Sequence, residues 1–306
     1  MDAERPAPAR RGPADQAWLL LMLPGLFWAG NAVLGRAVAG EVPPVALAFW
    51  RWSLGALIVL PFAWRHLPHD LRTMGRRWPL MLVITALGIG VFNTFLYIGL
   101  ATTTALNAVM MQSAMPVLIV LMSLVLFGET LTARQGLGIA VSLAGALTLI
   151  ARGDTQTLTA LQFNRGDLWV LAAVIAYAAY TALLRKRPNV HGLSFIVATF
   201  ALGALMLLPF YVAESLGGRP LVLHPTALGA IGYVAVFPSI LAYLAFNRSV
   251  AMVGANTAGL AIHLVPVFGA LLSILLLGEQ PHWYHGIGIA LIAAGIALAT
   301  RKRRPA

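Results

Sequence analysis

The sequence predicts an all-α polytopic membrane protein of ten transmembrane helices in two inverted five-helix repeats. Three observations lead there. Of 306 residues, 59% are hydrophobic and only 10% charged, with mean hydropathy +0.82. A water-soluble surface needs roughly 25% charged residues, so an ordinary soluble enzyme is excluded. The apolar residues fall in blocks of about 20, the length that crosses hydrocarbon as a helix. Finally, the second half of the chain repeats the first.

The spans fall at 17–39, 44–64, 78–100, 103–127, 133–151, 167–186, 193–215, 226–248, 254–277 and 284–300. A helix satisfies its own backbone hydrogen bonds, as lipid requires. The first span follows Arg5, Arg10 and Arg11 as a signal peptide does, but it is long and contains Pro24. It reads as an uncleaved first helix. There is no cysteine, so disulfides and thiolate chemistry are excluded.

The 21 Lys and Arg residues orient the spans. With a cytoplasmic N-terminus, sixteen lie inside: Arg5, Arg10, Arg11, Arg65, Arg72, Arg76, Arg77, Arg134, Arg185, Lys186, Arg187, Arg248, Arg301, Lys302, Arg303 and Arg304. Four lie outside (Arg36, Arg152, Arg165 and Arg219), and Arg51 sits within a span. The excess of cytoplasmic cations puts both termini inside, in a bacterial inner membrane. The net charge of +11 is therefore a topology signal and not a nucleic-acid patch.

Residues 105–150 align without a gap onto 255–300, an offset of 150. Pro116 matches Pro266, Gly128-Glu129 matches Gly278-Glu279, and Gly138 and Gly145 match Gly288 and Gly295. Leu57–Phe62 aligns with Leu205–Phe210 at 148, and Trp28 and Asn31 with Tyr177 and Tyr180 at 149. The expected layout is a 1–16 tail, a repeat over 17–151, a linker over 152–166, a repeat over 167–300 and a basic 301–306 tail. Five spans per repeat is odd, so the second repeat enters from the opposite face. Two nearly equivalent halves can exchange conformations and expose a central site to either side, which argues for transport.

Phe27-Trp28-Ala29-Gly30-Asn31, Phe49-Trp50-Arg51, Gly166-Asp167 and the doubled proline-to-Gly-Glu spacing resemble the EamA-type family of the drug/metabolite transporter superfamily. The resemblance covers nearly the whole chain. It implies ten helices in two inverted repeats. It also implies export of small metabolites, with similarity to exporters of amino acids, including aromatic ones.

The candidate substrate-binding residues are Trp28, Asn31, Asn93, Tyr97, Gln112, Tyr177, Tyr180, Tyr243, Asn247 and His263. Asn93 and Tyr97 share a helix face, as do Tyr243 and Asn247; the repeat maps each amide onto a phenol. Polar faces avoid lipid, so these point inward, either to a cavity or to interhelical hydrogen bonds. Trp28 and Asn31 with Tyr177 and Tyr180 suit an amphipathic solute, and suit packing as well. Gln112 lies near a stripe of Asn107, Met111, Met115 and Met122, flexible side chains that fit variable ligands or fill a core. Asn256 and His263 share a face, and His263 is the one histidine well inside a span; a carboxylate donor, a titrating group and a hydrogen-bonded structural histidine all fit it. Arg51 has three readings: a dock for a substrate carboxylate, snorkelling to the interface, or bonding to carbonyls, with a structural role favoured. Pro116 and Pro266 are candidate hinges. The repeated glycines read as close helix contacts, and Glu129 and Glu279 as loop or capping groups.

No span carries a central Asp or Glu, which weakens proton antiport. Neither lysine follows a glycine, so there is no P-loop. His282 and His285 have no nearby acid or cysteine to complete a metal site. No cofactor or metal is expected. The expected function is gradient-driven export of amino acids or similar small metabolites by alternating access, from a monomer whose partners are its solute and the bilayer. Multidrug efflux by proton antiport is the alternative. An intramembrane serine–histidine hydrolase using His263 is the remaining class, for which the chain offers no nucleophile motif.

Overall fold

The computed structural model describes residues 13–38, 40–103, 108, 111–154, 156–157, 164–277 and 280–300. These residues form helices and connecting turns, with no strand among them. In chain order we label α1 (Pro13–Ala37), α2 (Pro44–Ala63), α3 (Leu67–Gly75), α4 (Trp78–Thr102), α5 (Met115–Phe127) and α6 (Ala133–Ile150). Then come α7 (Arg165–Lys186), α8 (Gly192–Leu216), α9 (Pro225–Val253), α10 (Ala255–Gly259, the 3-10 turn Leu260–His263 and Leu264–Leu277) and α11 (Trp283–Thr300).

Seven of these helices are long and apolar enough to cross a membrane, and three apolar helices are shorter. This differs from ten uniformly long spans. The apolar parts of α1 and α11 cover Leu19–Gly35 and Trp283–Ala299. For α5 the reason is local. The chain turns at Ala114, and Met115-Pro116 opens the helix. Proline is tolerated in a first turn because its missing N–H has no partner there. Pro116 therefore starts a helix and does not kink one. Pro266 likewise follows a discontinuity, the 3-10 turn at Leu260–His263.

The short α3 was not anticipated from the sequence. Leu67, Leu71 and Met74 recur at helical spacing, and Met74 is buried. Asp70 is buried too and accepts from the His191 backbone N–H at 3.2 Å, tying α3 to the start of α8.

Helix partnering follows the repeat. α1 packs on the second part of α9 and on α10; α7 packs on the second part of α4 and on α5. α2 pairs with α8, and α6 with α11. Each contact maps onto its counterpart under the offset of about 150, and the last two map onto themselves. α6 and α11 approach closely enough that a Cβ on Gly138 would lie 2.6 Å from the Gly295 carbonyl oxygen, and one on Gly145 2.7 Å from that of Gly288. Small residues permit this backbone approach. Glycine is thus required there by packing.

α4 and α9 each widen for one stretch into a π-helix, Ala86–Val91 and Val236–Leu241, 150 residues apart. Such bulges free backbone carbonyls from the i→i−4 ladder. Pro238 deprives the Val234 carbonyl of its N–H partner. The Ser239 hydroxyl replaces it, donating at 2.6 Å.

Burial alone would raise the Asp70 pKa, but Ser194, the His191 N–H and His69 together hold it below the usual carboxylate value. A depressed folded pKa stabilises above the unfolded value of 3.8 and ceases to do so as pH falls through the folded one. Asp70→Asn should therefore lower stability at neutral pH by about 1 kcal/mol. Thermal unfolding in detergent should show the deficit shrinking once pH drops below about 4.

Candidate functional site

The central helices meet around aromatic side chains that the repeat supplies in pairs. Trp28 stands edge-on to Tyr177, with centroids 5.8 Å apart, and lies 6.3 Å from Tyr243. Trp52 packs on Phe200, its counterpart, at 4.6 Å, and both contact Tyr243. Offset and edge-to-face arrangements of this kind add to the burial energy of each ring.

These rings enclose a cavity of about 30 Å³. Its wall includes Trp28, Asn31, Asn93, Gln112, Tyr177 and Tyr243, six of the ten residues singled out in the sequence, together with Arg51, Phe92, Met115 and Ile262. The space suits a water molecule and is too small for a metabolite.

The other candidates lie around it. α1 and α9 run antiparallel: Gly30 meets Tyr233, Phe27 meets Phe237, and Leu20 and Leu23 share a wall with Leu244 and Arg248. α4 and α7 are antiparallel in the same way, with Phe95 against Trp169 and Phe92 against Tyr177. Beyond Trp28 in one direction, the Tyr97 hydroxyl donates to Asn31 Oδ1 at 2.9 Å. Beyond Tyr177 and Tyr243 in the other, the Tyr180 hydroxyl donates to Asn247 Oδ1 at 2.9 Å. The two amide–phenol pairs are counterparts at offsets of 149 and 150, and they flank the chamber on opposite sides. Past Asn247 lies a vestibule of about 680 Å³ walled by Leu23, Phe27, Arg187, His191, Asn247 and Arg248, among others.

His263 does not reach the chamber wall. It is fully buried, with Nε2 2.9 Å from the Ser113 carbonyl oxygen and Nδ1 2.6 Å from Ser142 Oγ. A carbonyl only accepts, so Nε2 carries the proton and Nδ1 accepts from the serine. This is the hydrogen-bonded structural arrangement. Asn256 also lies off the wall. Glu129 pairs with Arg185 at the exposed end of the bundle. Asn107 and Glu279 lie outside the described residues.

Arg51 neither snorkels nor lies at the periphery: it is 1% exposed and lines the chamber. Nε donates to Ser239 Oγ at 2.5 Å and Nη2 to the Pro238 carbonyl at 3.0 Å. Nη1 donates to Asn31 Oδ1 at 3.1 Å and to the Tyr97 hydroxyl at 2.8 Å. The guanidinium also folds over the Trp52 ring, 4.6 Å from its centroid. Among the described residues no carboxylate pairs with it. All its acceptors are neutral, so its charge remains locally uncompensated.

The freed π-segment carbonyls serve the same centre. The Pro238 oxygen takes both Arg51 and Trp28 Nε1, the latter at 3.1 Å. The Gly88 oxygen takes the Tyr243 hydroxyl at 2.8 Å. Sequence reasoning passed over Ser239, Pro238 and Gly88; the available signal was a mid-span proline aligned at 150 with a glycine. One polar group of the wall, the Tyr177 hydroxyl, is buried without a protein partner among the described residues.

Removing the Tyr97 hydroxyl leaves buried Arg51 short of one protein acceptor. Tyr97→Phe should cost about 1–3 kcal/mol of stability, read as a lowered thermal unfolding midpoint in detergent.

Residues 16–151 and again 164–301 match the EamA-like transporter family. An uncharacterized transporter of Archaeoglobus fulgidus is 27% identical over 287 residues, covering 93% of this chain and 97% of its own length. A protein of Streptantibioticus cattleyicolor named as a probable terminal-alkyne amino-acid exporter is 26% identical over 233 residues, 76% of each chain. A solved crystal structure covering 93% of this chain and 96% of its own superposes with a TM-score of 0.71 at 23% identity, which shows a shared fold. The family and these named relatives are transporters, not enzymes, and the apolar helices make this chain a multi-pass membrane protein acting on a small-molecule substrate. The chain belongs to the EamA-like transporter family of the drug/metabolite transporter superfamily.

Proposed function

We propose that the chain exports amino acids or closely similar small metabolites by alternating access, driven by the substrate's own gradient. The observation that carries this reading is the small aromatic chamber with polar groups set in its wall. Its wall is drawn from both family-matched halves: Trp28, Asn31, Arg51 and Asn93 from the first, Tyr177 and Tyr243 from the second. An amide–phenol pair flanks it on each side.

The helix pairing supports ten spans in two inverted repeats, over 17–151 and 167–300 with 152–166 as linker. The antiparallel α1–α9 and α4–α7 pairs and the twin π segments are what a pseudo-twofold axis in the membrane plane produces. The cation distribution supports cytoplasmic termini and an inner-membrane location. On that orientation the vestibule beside Arg187 and Arg248 faces the cytoplasm. The solute enters there, the Tyr180–Asn247 pair parts to admit it, and the Asn31–Tyr97 pair parts to release it.

Amino acids fit the chamber's chemistry. Aromatic faces suit an apolar or aromatic side chain, and the donors of Arg51 and Asn93 suit a carboxylate. The relative named as a probable amino-acid exporter supports the same class. Lipophilic cations, the usual cargo of multidrug efflux, would meet the Arg51 charge with no acid among the described residues of the wall to offset it.

Counterflow into proteoliposomes tests this. A panel of labelled amino acids should exchange without product formation, with and without a pH gradient, while a cationic dye should not. Trp28→Ala and Tyr243→Ala should each slow exchange by about tenfold or more, the equivalent of 1.4 kcal/mol of lost binding. Exchange confined to the dye would overturn the reading.

A further inference from the structure

We propose that Arg51 is a displaceable lock on one end of the chamber, and that the carboxylate of the substrate is the group that opens it. This deepens the export reading and rests on it for direction.

The guanidinium has two edges, and the structure gives one to each half of the chain. Nη1 serves Asn31 and Tyr97, both from the first half. Nε and Nη2 serve Ser239 and the Pro238 carbonyl, both from the second half. Arg51 therefore ties the halves together where the Asn31–Tyr97 pair flanks the chamber. Among the described residues no cation of the chamber wall joins the halves at the opposite end, where the ties are peripheral: the Arg185–Glu129 ion pair and the His191 N–H to Asp70 bond. The residue aligned with Arg51 at the offset of 148 is Thr199, whose hydroxyl bonds back to the Phe195 and Ile196 carbonyls of its own helix. One end is strapped by a cation across the two halves, and the other is flanked by the Tyr180–Asn247 hydrogen bond. The symmetry of the repeat is broken at the arginine that lines the chamber.

The Nε–Nη2 edge is the one a carboxylate takes side-on, through two parallel N–H···O bonds. A ligand carboxylate there would displace both second-half acceptors together. It would also supply the negative charge that the neutral partners do not. The present bonds carry only the donor's charge; a carboxylate adds the acceptor's and makes a bidentate ion pair, so the exchange favours the ligand. Ser239 and the Pro238 carbonyl are then released from Arg51, which leaves Trp28 Nε1 as the first-half donor to that carbonyl, and the second half can move away from the guanidinium. The Tyr177 hydroxyl, buried on the same wall without a protein partner among the described residues, is a further polar group for such a ligand. The alternative key, a neutral amide, can accept through only one oxygen and brings no charge.

The cysteine-free chain gives a clean background for testing the lock. Gln112→Cys places a single thiol on the chamber wall. In spheroplasts, a membrane-impermeant methanethiosulfonate reagent should modify it slowly. Arg51→Gln in that background should speed modification by about tenfold or more, as loss of a bidentate edge implies. Ser239→Ala, which leaves the arginine in place, should give a smaller increase in the same direction. The carboxylate is tested on the purified full chain by thermal unfolding with phenylalanine, 3-phenylpropionate or phenylalanine amide. Both carboxylates should raise the midpoint of the native chain, the amide should not, and Arg51→Gln should erase the difference. Modification rates unchanged in both variants, or no carboxylate-selective protection, would overturn the proposal. Failure of the export reading is distinct: amino acids would not exchange in counterflow, while labelling still accelerated in Arg51→Gln and 3-phenylpropionate still protected.

Discussion

A guanidinium buried in an apolar helix bundle has to be held by acceptors from several directions, and the centre of this protein is arranged around that requirement. Arg51 draws on an amide, a phenol, a hydroxyl and a backbone carbonyl, contributed by α1, α4 and α9. Helices must come close enough, and one must break its own hydrogen-bond ladder, for those groups to converge. The π segment of α9 does this: Pro238 disrupts the ladder, Ser239 satisfies the Val234 carbonyl, and the same hydroxyl receives Arg51 Nε. One proline thus links a backbone irregularity to the stability of a buried charge.

The first π segment shows the same local answer reached with different residues. Where α9 uses Pro238 and Ser239, α4 uses Gly88 and Gly90. A Cβ at Gly88 would lie 2.3 Å from the Tyr180 ring, so the missing side chain is what lets α7 approach. The freed Gly88 carbonyl then accepts from Tyr243. Equivalent positions of the two halves keep the same backbone function while the side chains diverge. Amide and phenol trade places in the end pairs, and arginine stands opposite threonine. A duplicated scaffold can therefore serve a ligand that is not itself symmetric.

Much of the centre was legible because polar residues are rare in these spans, and lipid excludes them from the outside. Trp28, Asn31, Asn93, Gln112, Tyr177 and Tyr243 stood out for that reason, and the fold brings them to one wall. Tyr97, Tyr180 and Asn247 stood out equally, yet they pair off at the ends. A helical face says which way a side chain points but not how deep it sits. His263 illustrates the limit. Its rarity suggested function, while its partners, Ser142 on α6 and the Ser113 carbonyl, are too ordinary in sequence to announce themselves. Amphipathic α3 was missed because its nine residues sit in a basic connecting stretch that reads as a loop.

The sequence by itself determined the membrane class, the doubled family pattern, the identity of the polar and aromatic residues, and the glycines at which helices touch. These are consequences of composition and short-range spacing, which a linear chain displays openly. Only the tertiary structure decided that the chamber is small, that amide–phenol pairs flank it, and that Arg51 joins the two halves. Each of those depends on groups some 20 to 190 residues apart meeting within hydrogen-bond distance. That convergence is set by how whole helices pack, and no local pattern of residues encodes it.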